Sequence, residues 1–329
     1  MITKKIAITG AAGNICYSLI FHILSNSFFD QNTKIQLRLL DIKTMMPVLK
    51  GLKYEIEDCA FETLDSVLIT DNPEEAFSDA DFILLIGAKP RFKGMQRSDL
   101  LLDNANIFQQ QAKIINVCAN NNTKIIVVGN PANTNALIVQ NFTPNIPEKN
   151  ITSLMKLDQN RAKSILANQI EQQVENIFQL TIWGNHSTTQ YPNIFDAIIN
   201  NESVIGNNKV NETWIKDDFI PRIQNRGAEI IEHRGKSSAA SAASAIYDHL
   251  NNLINGSDDW ESMGILSSGE YDIAPDIFFS FPIQLIGNQF NVVQNLEIND
   301  FSKEYIKHSE KELISERDIV KDILKMDAQ

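Results

Sequence analysis

The chain has 329 residues, of which 43% are hydrophobic and 21% are charged, proportions typical of a soluble globular protein rather than a disordered one. That length exceeds what one ordinary hydrophobic core organises, so two domains are expected. The 41 acidic residues outnumber the 29 basic ones and give a formal net charge of -12, which argues against nucleic acid and anionic membrane surfaces as partners.

The cysteines and the absence of long apolar runs indicate a compartment. Cys16, Cys59 and Cys118 are odd in number and lack metal-ligand spacing, which predicts free thiols in a reducing environment and no structural metal. The first apolar strand begins within a few residues of Met1, leaving no room for a targeting peptide, and no apolar run approaches the ~20 residues that cross a bilayer. We therefore expect a cytoplasmic protein.

Residues 5–19, KIAITGAAGNICYSL, predict a strand, a tight turn and a helix. The apolar run stops at Gly10, Gly13 follows, and apolar residues of helical spacing begin directly behind it. Glycines there permit unusual torsions and a close approach to a phosphate, toward which the first N–H groups of the helix would point. The third position of the glycine spacing is Cys16 rather than glycine or alanine. The turn indicates either a dinucleotide site or a plain strand-to-helix connection.

A second apolar strand, residues 35–40, ends at Asp41. In a dinucleotide-binding fold an acid at that point binds the ribose hydroxyls and repels the extra phosphate of NADP, so Asp41 favours NAD. It lies somewhat farther beyond Cys16 than the usual ~20 residues. A helix N-cap or turn aspartate is the alternative interpretation.

Helices and strands then alternate along the N-terminal half. The patterns predict helices over residues 47–60, 73–80 and 100–120 and strands over residues 67–70, 81–86 and 124–128. This alternation is typical of an α/β protein with a Rossmann doubly wound parallel sheet, which binds ligands at the carboxyl ends of its strands. The proline-marked segment 143–150 predicts the boundary between an NAD-binding domain, residues 1–154, and an α+β substrate domain, residues 155–329.

Two segments follow predicted strand ends. Residues 87–99, GAKPRFKGMQRSD, concentrate four cations in an acidic chain, which indicates either a mobile basic loop for an anionic substrate or a solvated loop. Arg91 and Arg97 in this segment could each bind a carboxylate through two parallel hydrogen bonds. The later turn GNPANTNALI is expected to bring Asn130 to the same sheet edge as the glycine loop.

The second half carries candidate acid–base residues. A helix predicted over residues 157–170 places Asp158 and Arg161 on one face, a spacing that usually marks a plain surface ion pair. The segment TIWGNHSTT puts His186 at a strand-to-loop junction, whereas the other four histidines lie within or near helical patterns. Because the sequence also offers a carboxylate that could orient the ring and arginines that could bind a substrate, His186 is the candidate for proton transfer. Further helices are predicted over residues 212–232, 237–253 and 301–324, around strands within residues 263–293.

Motifs spread over nearly the whole chain resemble those of malate dehydrogenases of the cytosolic and bacterial type, within the lactate/malate dehydrogenase superfamily. They are TGAAGNI, EDCAF, GAKPR, VVGNPANTNAL, LDQNRA, WGNHS, RGKSSAASAAS and SFP. The resemblance implies reversible NAD-dependent oxidation of (S)-malate to oxaloacetate, a step of the tricarboxylic acid cycle. It also implies a homodimer, for which the helix over residues 47–60 is a candidate contact.

The resemblance further implies a role for individual residues. His186 would accept the hydroxyl proton while Asp158 holds the other ring nitrogen. The dicarboxylate substrate would be bound, partly by a closing loop, through Arg91, Arg97, Asn130, Arg161 and Ser241. The NAD contacts would be Gly10, Ala11, Ala12, Gly13, Asn14, Ile15, Cys16, Asp41, Asn104, Gln111, Val128, Gly129 and Asn130. No metal is implied.

Two departures from the family pattern concern single positions. Gln159 replaces the histidine common after the aspartate in relatives, and no role is assigned to it. Cys16 lies at a predicted helix N-terminus, so we hypothesise that its thiol pKa is lowered and that bound cofactor shields it.

Two other classes of protein are alternatives to a malate dehydrogenase. The extended short-chain dehydrogenases and epimerases share a loop like TGAAGNI but need a Tyr-x-x-x-Lys pair, and none of the six tyrosines has a lysine four positions on. A non-enzymatic nucleotide-binding protein would bind NAD without turnover. Because every candidate catalytic and substrate-binding residue is present, the sequence favours an enzyme.

Overall fold

A computed structural model describes residues 2–26, 28–90, 97–287 and 289–325. The chain forms two compact units, the first comprising Met1–Ser153 with Ser315–Gln329 and the second Leu154–Ile314. None of the described helices combines the length and apolarity that crossing a bilayer requires.

The first unit contains a parallel sheet whose strand order, over the described residues, is β3-β2-β1-β4-β5-β6. Its strands are β1 (Ile2–Thr9), β2 (Thr33–Leu40), β3 (Leu64–Thr70), β4 (Phe82–Leu85), β5 (Lys124–Val127) and β6 (Ile151–Leu154). Its helices are α1 (Asn14–Ser25), α2 (Met46–Asp58), α3 (Pro73–Phe77), α4 (Arg97–Cys118) and α5 (Ala132–Phe142). The reversal of strand order beside β1 is that of a doubly wound dinucleotide-binding sheet, and the predicted fold class is confirmed.

Continuous apolar strands explain why this sheet is buried on both faces. All four residues of β4 are buried, as expected for a parallel strand covered by helices. Helix α1 turns Leu19, Ile20 and Ile23 inward, matching the helical spacing of apolar residues in the sequence. The fold therefore holds the turn after β1 on a rigid base.

The second unit combines helices with small antiparallel sheets. Its helices are α6 (Lys156–Ile170), α7 (Glu212–Trp214), α8 (Ile220–Arg234), α9 (Ala240–Asn255) and the first part of α10 (Asp300–Lys325). Its strands are β7 (Ile177–Phe178), β8 (Thr181–Trp183), β9 (Tyr191–Asn193), β10 (Ile198–Ile199), β11 (Glu202–Ser203), β12 (Trp260–Leu266), β13 (Phe278–Ile286) and β14 (Gln289–Val292). Strands β12, β13 and β14 pair antiparallel in sequence order, and β8 pairs with β9. A π-helical segment, Ile215–Phe219, joins α7 to α8.

Several elements of this fold are absent from the sequence predictions, among them the short strands β7, β9, β10 and β11, strand β6 and helix α5. Strand β6 was not expected, because its four residues, ITSL, run directly into the pattern of α6. Helix α5 was predicted only as a turn, because its buried face includes the asparagines Asn133 and Asn135. Polar residues on a buried helix face hide the apolar periodicity by which helices are recognised.

Candidate cofactor and acid-base sites

The turn after β1 packs against the end of β4 through two glycines. Gly10 has a φ of +64°, and a Cβ added to it would lie 2.6 Å from the Gly87 Cα. The Thr9 hydroxyl oxygen accepts hydrogen bonds from the backbone N–H groups of Ile86 and Gly87, each at 3.1 Å. Side chains larger than hydrogen would separate the two strand ends, so this close approach requires glycine at both positions.

The N-terminus of α1 and Asp41 form the polar part of this region. The first helical hydrogen bond runs from Tyr17 N to Gly13 O, so the N–H groups of Asn14 and Ile15 precede the hydrogen-bonded ladder of the helix. Such N–H groups suit a phosphate. The Asp41 carboxylate accepts hydrogen bonds from the N–H groups of Ala12 at 2.9 Å and Ile42 at 2.8 Å, which orient it at the end of β2.

A cavity of about 470 Å³ opens at these strand ends. Its lining includes Gly10, Asp41, Gly87, Ile107 and Gln111, so the glycine turn, the acidic residue and Gln111 face one space. An apolar wall with a carboxylate at one side and a glycine turn at the other is the arrangement that an adenosine diphosphate moiety requires. The residues present therefore fit NAD.

The Asn104 side chain stabilises this region by binding backbone groups of other residues. Its side chain is fully buried, accepts a hydrogen bond from Lys89 N at 2.7 Å and donates to the carbonyl oxygens of Lys89 and Asn130, both at 3.2 Å. It thereby ties the segment after β4 to the turn after β5. Asn135 stabilises the same turn by donating to Gly129 O at 2.8 Å.

Strand β5 and its turn carry the remaining predicted cofactor residues. The N–H groups of Val128 and Gly129 both donate to Leu85 O, at 2.9 and 3.0 Å. A Cβ on Gly129 would lie 2.8 Å from the Phe108 ring and 2.9 Å from the Ala88 Cβ. Glycine is therefore needed for this turn to pack against α4 and the segment after β4.

In the second unit, His186, Asp158 and Arg161 form one cluster. His186 Nδ1 lies 2.5 Å from Asp158 Oδ2, and Arg161 Nη1 donates to Asp158 Oδ1 at 3.0 Å. The Asp158 side chain is fully buried, whereas those of Arg161 and His186 keep 14% and 20% of their surface exposed. The carboxylate is thus enclosed while the ring and the guanidinium remain accessible.

The charges in this cluster shift two pKa values in opposite directions. Burial alone would raise the pKa of Asp158, but His186 and Arg161 hold it below its ordinary value. Burial alone would lower the pKa of His186, and Arg161 acts in the same direction, but the charge and hydrogen bond of Asp158 raise it above its ordinary value. This arrangement stabilises an imidazolium, as an acid–base catalyst requires.

Arg161 and Ser241 line a second cavity, of about 380 Å³, within the same unit. Arg161 Nη2 donates to Ser238 Oγ at 3.3 Å. Its Nε is buried and has no hydrogen-bond partner among the residues that the structure describes. A buried guanidinium N–H of this kind suits a ligand oxygen, because leaving it unpaired costs free energy.

Gln159 anchors the helix that carries Asp158. Its amide donates to Leu180 O at 3.0 Å and to Trp260 O at 2.7 Å, and its oxygen accepts from Ser262 N at 3.0 Å. The side chain is fully buried. The position to which the sequence assigned no role therefore fixes the start of α6 against β12.

The structure contradicts the hypothesis for Cys16. Its side chain is fully buried in α1, and burial, with a smaller contribution from the charge of Asp41, raises the pKa of its thiol well above the usual range. The thiol lies 3.7 Å from Thr9 O, at hydrogen-bonding distance for sulfur. The predicted lowering of the pKa is wrong, because the helix terminus cannot offset desolvation of the thiolate.

We expect Cys16 to resist alkylation in the folded protein, with or without NAD. Iodoacetamide should modify the exposed Cys59 at least about 100-fold faster, because thiolate population and access set the rate. Peptide mass spectrometry over time measures both sites, and the urea-unfolded chain, in which both thiols should react alike, is the control. Equal rates in the folded protein, or protection of Cys16 by NAD alone, would contradict this expectation.

Several predicted residues are brought together and others are not described. Gly10, Asp41 and Gln111 line the first cavity, whereas Asn104 acts on backbone groups. Arg91 lies outside the described residues, and the side chain of Arg97 does as well. Among the residues that hold these sites together, the sequence predictions missed Thr9, Asn135, Gln159 and Ser238. Of these, Thr9 could have been recognised from its place directly before the glycine turn.

The fold and these sites define a class. A doubly wound sheet with a glycine turn and an acid after its second strand, in a chain that also pairs a histidine with a buried aspartate, is characteristic of NAD-dependent dehydrogenases. The family model of the lactate/malate dehydrogenase NAD binding domain matches residues 4–152. The family model of the lactate/malate dehydrogenase alpha/beta C-terminal domain matches residues 155–323. The chain belongs to the lactate/malate dehydrogenase family, and its cofactor is NAD.

Solved structures include close relatives of both kinds. Malate dehydrogenase from Naegleria fowleri is 41% identical, with 98% of this chain and 99% of that chain covered and a TM-score of 0.95. Lactate dehydrogenase from Trichomonas vaginalis, in complex with NADH and oxamate, is 33% identical, with 97% and 98% covered and a TM-score of 0.92. Malate dehydrogenase from Plasmodium falciparum, at 22% identity with 98% and 100% covered and a TM-score of 0.84, shares the fold.

Proposed function

We propose that this protein is a malate dehydrogenase, which interconverts (S)-malate and oxaloacetate. NAD, when bound, accepts the hydride from the carbon that carries the hydroxyl group. The observation that carries the proposal is the cluster of His186, Asp158 and Arg161, in which Asp158 Oδ2 lies 2.5 Å from the imidazole and Oδ1 lies 3.0 Å from the guanidinium. These groups supply a proton acceptor and a binding site for a carboxylate.

His186 is the residue to which we assign the proton. Because its Nδ1 faces the Asp158 carboxylate, Nδ1 carries a proton and Nε2 of the neutral ring has a lone pair to accept the hydroxyl proton. The raised pKa of His186 favours the resulting imidazolium. In the reverse reaction this imidazolium returns the proton to the carbonyl oxygen of oxaloacetate.

Arg161 is the residue to which we assign the carboxylate beside the reacting carbon. Its Nη1 is bound to Asp158, while its Nε has no partner among the described residues. A carboxylate can accept two parallel hydrogen bonds from one edge of a guanidinium. We propose Ser241, which lines the same cavity, and Asn130 as further substrate contacts.

Malate rather than lactate is proposed because of the substrate's second carboxylate. The sequence offers Arg91 and Arg97 in a separate basic segment, and a methyl group in place of the carboxylate would leave a desolvated guanidinium unpaired. Lactate dehydrogenase is the second candidate, favoured by the Trichomonas vaginalis relative at 33% identity. Arg91 is thus the residue on which the choice of substrate depends.

The test is NADH oxidation with oxaloacetate and, separately, with pyruvate. We expect much faster turnover with oxaloacetate, and we expect Arg91→Gln to lower kcat/KM for oxaloacetate by about 10- to 100-fold, because it removes charge-assisted hydrogen bonds. Lys93→Gln removes a charge from the same segment and is the control, with an expected change below about threefold. Faster turnover with pyruvate in the wild type would overturn the malate assignment in favour of lactate.

We further propose that the protein works as a cytoplasmic homodimer in the tricarboxylic acid cycle. The resemblance to malate dehydrogenases of the cytosolic and bacterial type supports this proposal. Helix α2 exposes Val48 and Tyr54, at 49% and 53%, and apolar side chains on one exposed helix suit a contact between copies. Sedimentation equilibrium of the wild type, with a monomer mass as the contrary outcome, tests the dimer.

A further inference from the structure

We propose that Glu312 is a positioning residue for His186, an inference that rests on the proposed function. Glu312 lies on α10, in the same unit as His186. A single carboxylate oxygen, Oε2, accepts hydrogen bonds from Asn185 Nδ2 at 2.9 Å, from Thr189 Oγ1 at 2.6 Å and from Ser187 Oγ. Two of these three donors belong to the residues directly before and after His186.

A second residue of α10 completes this attachment. Ser309 Oγ accepts a hydrogen bond from Asn185 N at 2.8 Å and lies 3.0 Å from Thr189 Oγ1. Ser309 and Glu312 are three residues apart and therefore share one helix face. A Cβ on Gly184 would lie 2.1 Å from Ser309 Oγ. The backbone directly before Asn185 therefore packs against α10 at a distance that only glycine allows.

The backbone at His186 is itself tightly turned. Ser187 N donates to Asn185 O at 2.8 Å, a bond that spans only His186. The direction of the imidazole is therefore tied to the positions of residues 185 and 187, which the Glu312 carboxylate holds together. Because proton transfer depends on sub-ångström placement of the reacting groups, a group that fixes both neighbours of the histidine fixes the histidine.

A carboxylate suits this task better than a neutral group. Three donors converge on one oxygen, and hydrogen bonds to an ionised acceptor are about twice as strong as those between neutral groups. Removing the acceptor would leave three donors to reorganise, including Asn185, which is 1% exposed. The histidine segment, residues 185–189, would then be held to α10 by Ser309 alone, while the contact of Asp158 with Arg161 stayed in place.

The kinetic experiment compares Glu312→Ala, Glu312→Gln and Glu310→Ala. Glu310 is the matched control, because it is a buried carboxylate on the same helix that accepts from Ala274 N at 2.6 Å and pairs with Lys307 at 2.8 Å. We expect Glu312→Ala to lower kcat for oxaloacetate by about 30- to 100-fold with KM changed less than about threefold, since misplacement of a catalytic group acts on the chemical step. Glu312→Gln should lose less, about 5- to 10-fold, because the amide oxygen still accepts.

Two further measurements distinguish a role of Glu312 in positioning His186 from a general loss of stability. With deuterated NADH, the primary isotope effect on kcat should rise in Glu312→Ala and stay at the wild-type value in Glu310→Ala. The dissociation constant of NADH should be the same in all variants. A kcat for Glu312→Ala no lower than that for Glu310→Ala would overturn the proposal.

An activity-independent measurement decides the case if the wild type reduces no keto acid and the proposed function fails. The proton between His186 Nδ1 and Asp158 is expected to give a strongly deshielded proton NMR signal, because the two atoms lie 2.5 Å apart. This signal should broaden or vanish in Glu312→Ala, weaken in Glu312→Gln and persist in Glu310→Ala. An unchanged signal in Glu312→Ala overturns the proposal, and if that variant does not fold, an unchanged signal in Glu312→Gln does so.

Discussion

Asp158→Asn is expected to lower kcat for oxaloacetate reduction at neutral pH by about 10³- to 10⁴-fold, the cost of neutralising a buried carboxylate that orients a catalytic histidine. The asparagine retains the size of the side chain but removes the charge that lies 2.5 Å from the ring. Burial and Arg161 both act to lower the pKa of His186, and Asp158 alone opposes them. Without the carboxylate, the imidazolium that donates the proton is scarcely populated.

The pKa of His186 determines in which direction Asp158→Asn shifts the pH profile. In the proposed mechanism reduction requires protonated His186, so kcat/KM is expected to be highest below the pKa of His186 and to fall as the pH rises through that pKa. In the wild type that pKa lies above the ordinary value of about 6.5. In Asp158→Asn the loss should begin at a lower pH, and malate oxidation, which requires neutral His186, should reach its plateau at a lower pH.

The control for Asp158→Asn is Asp259→Asn. Asp259 is also a largely buried carboxylate of the second unit, paired with Lys163 and accepting a hydrogen bond from Gln179 N at 2.7 Å. This variant should change thermal stability without moving the pH profile of either direction. If Asp158→Asn kept the wild-type inflection, the assignment of Asp158 as the residue that raises the pKa of His186 would be wrong.

Arg161→Lys is expected to lower kcat/KM for oxaloacetate by about 10³-fold, because lysine keeps the charge but cannot form two parallel hydrogen bonds with a carboxylate. The guanidinium contacts Asp158 through Nη1 and Ser238 through Nη2, and its Nε is buried. An ammonium group cannot satisfy these directions together. Most of the loss should therefore be in KM, with a smaller fall in kcat from the disturbed contact with Asp158.

Arg226→Lys is the matched control for Arg161→Lys. Arg226 lines the same cavity as Arg161, but its Nη1 donates to Glu229 at 2.7 Å, three residues further along α8. A lysine there can keep an ion pair with Glu229, so kcat/KM should change less than about threefold. Equal losses in the two variants would contradict the assignment of Arg161 as the residue that binds the substrate carboxylate through two parallel hydrogen bonds.

Much of the first unit could be predicted from local patterns. The apolar strand, the glycines at positions 10 and 13 and the acid at position 41 are visible within short windows, because strand and helix periodicities and turn residues are local properties. The sequence also singled out Asp158, Arg161 and His186 by their settings. The resemblance of the chain to its family rests on motifs whose residues are contiguous in the sequence.

Contacts between distant residues could not be predicted in this way. The Asn104 amide, for example, binds the backbone of Lys89 and of Asn130, which lie 15 and 26 residues away along the chain. The short pattern around Glu312 resembles any charged helix face, and only the packing of α10 brings that carboxylate to Asn185, Ser187 and Thr189. No local window contains both members of such a pair.

By itself, the sequence determined the alternation of strands and helices, the glycine turn, NAD as the expected cofactor and the identity of the acid–base candidates. The tertiary structure alone decided that Cys16 is buried, that Gln159 anchors α6, and that Asp158 contacts both His186 and Arg161. The physical reason is that periodicity and turn chemistry act over a few neighbouring residues. Burial, which sets pKa values, and hydrogen-bond geometry, which sets orientation, exist only once distant segments have packed together.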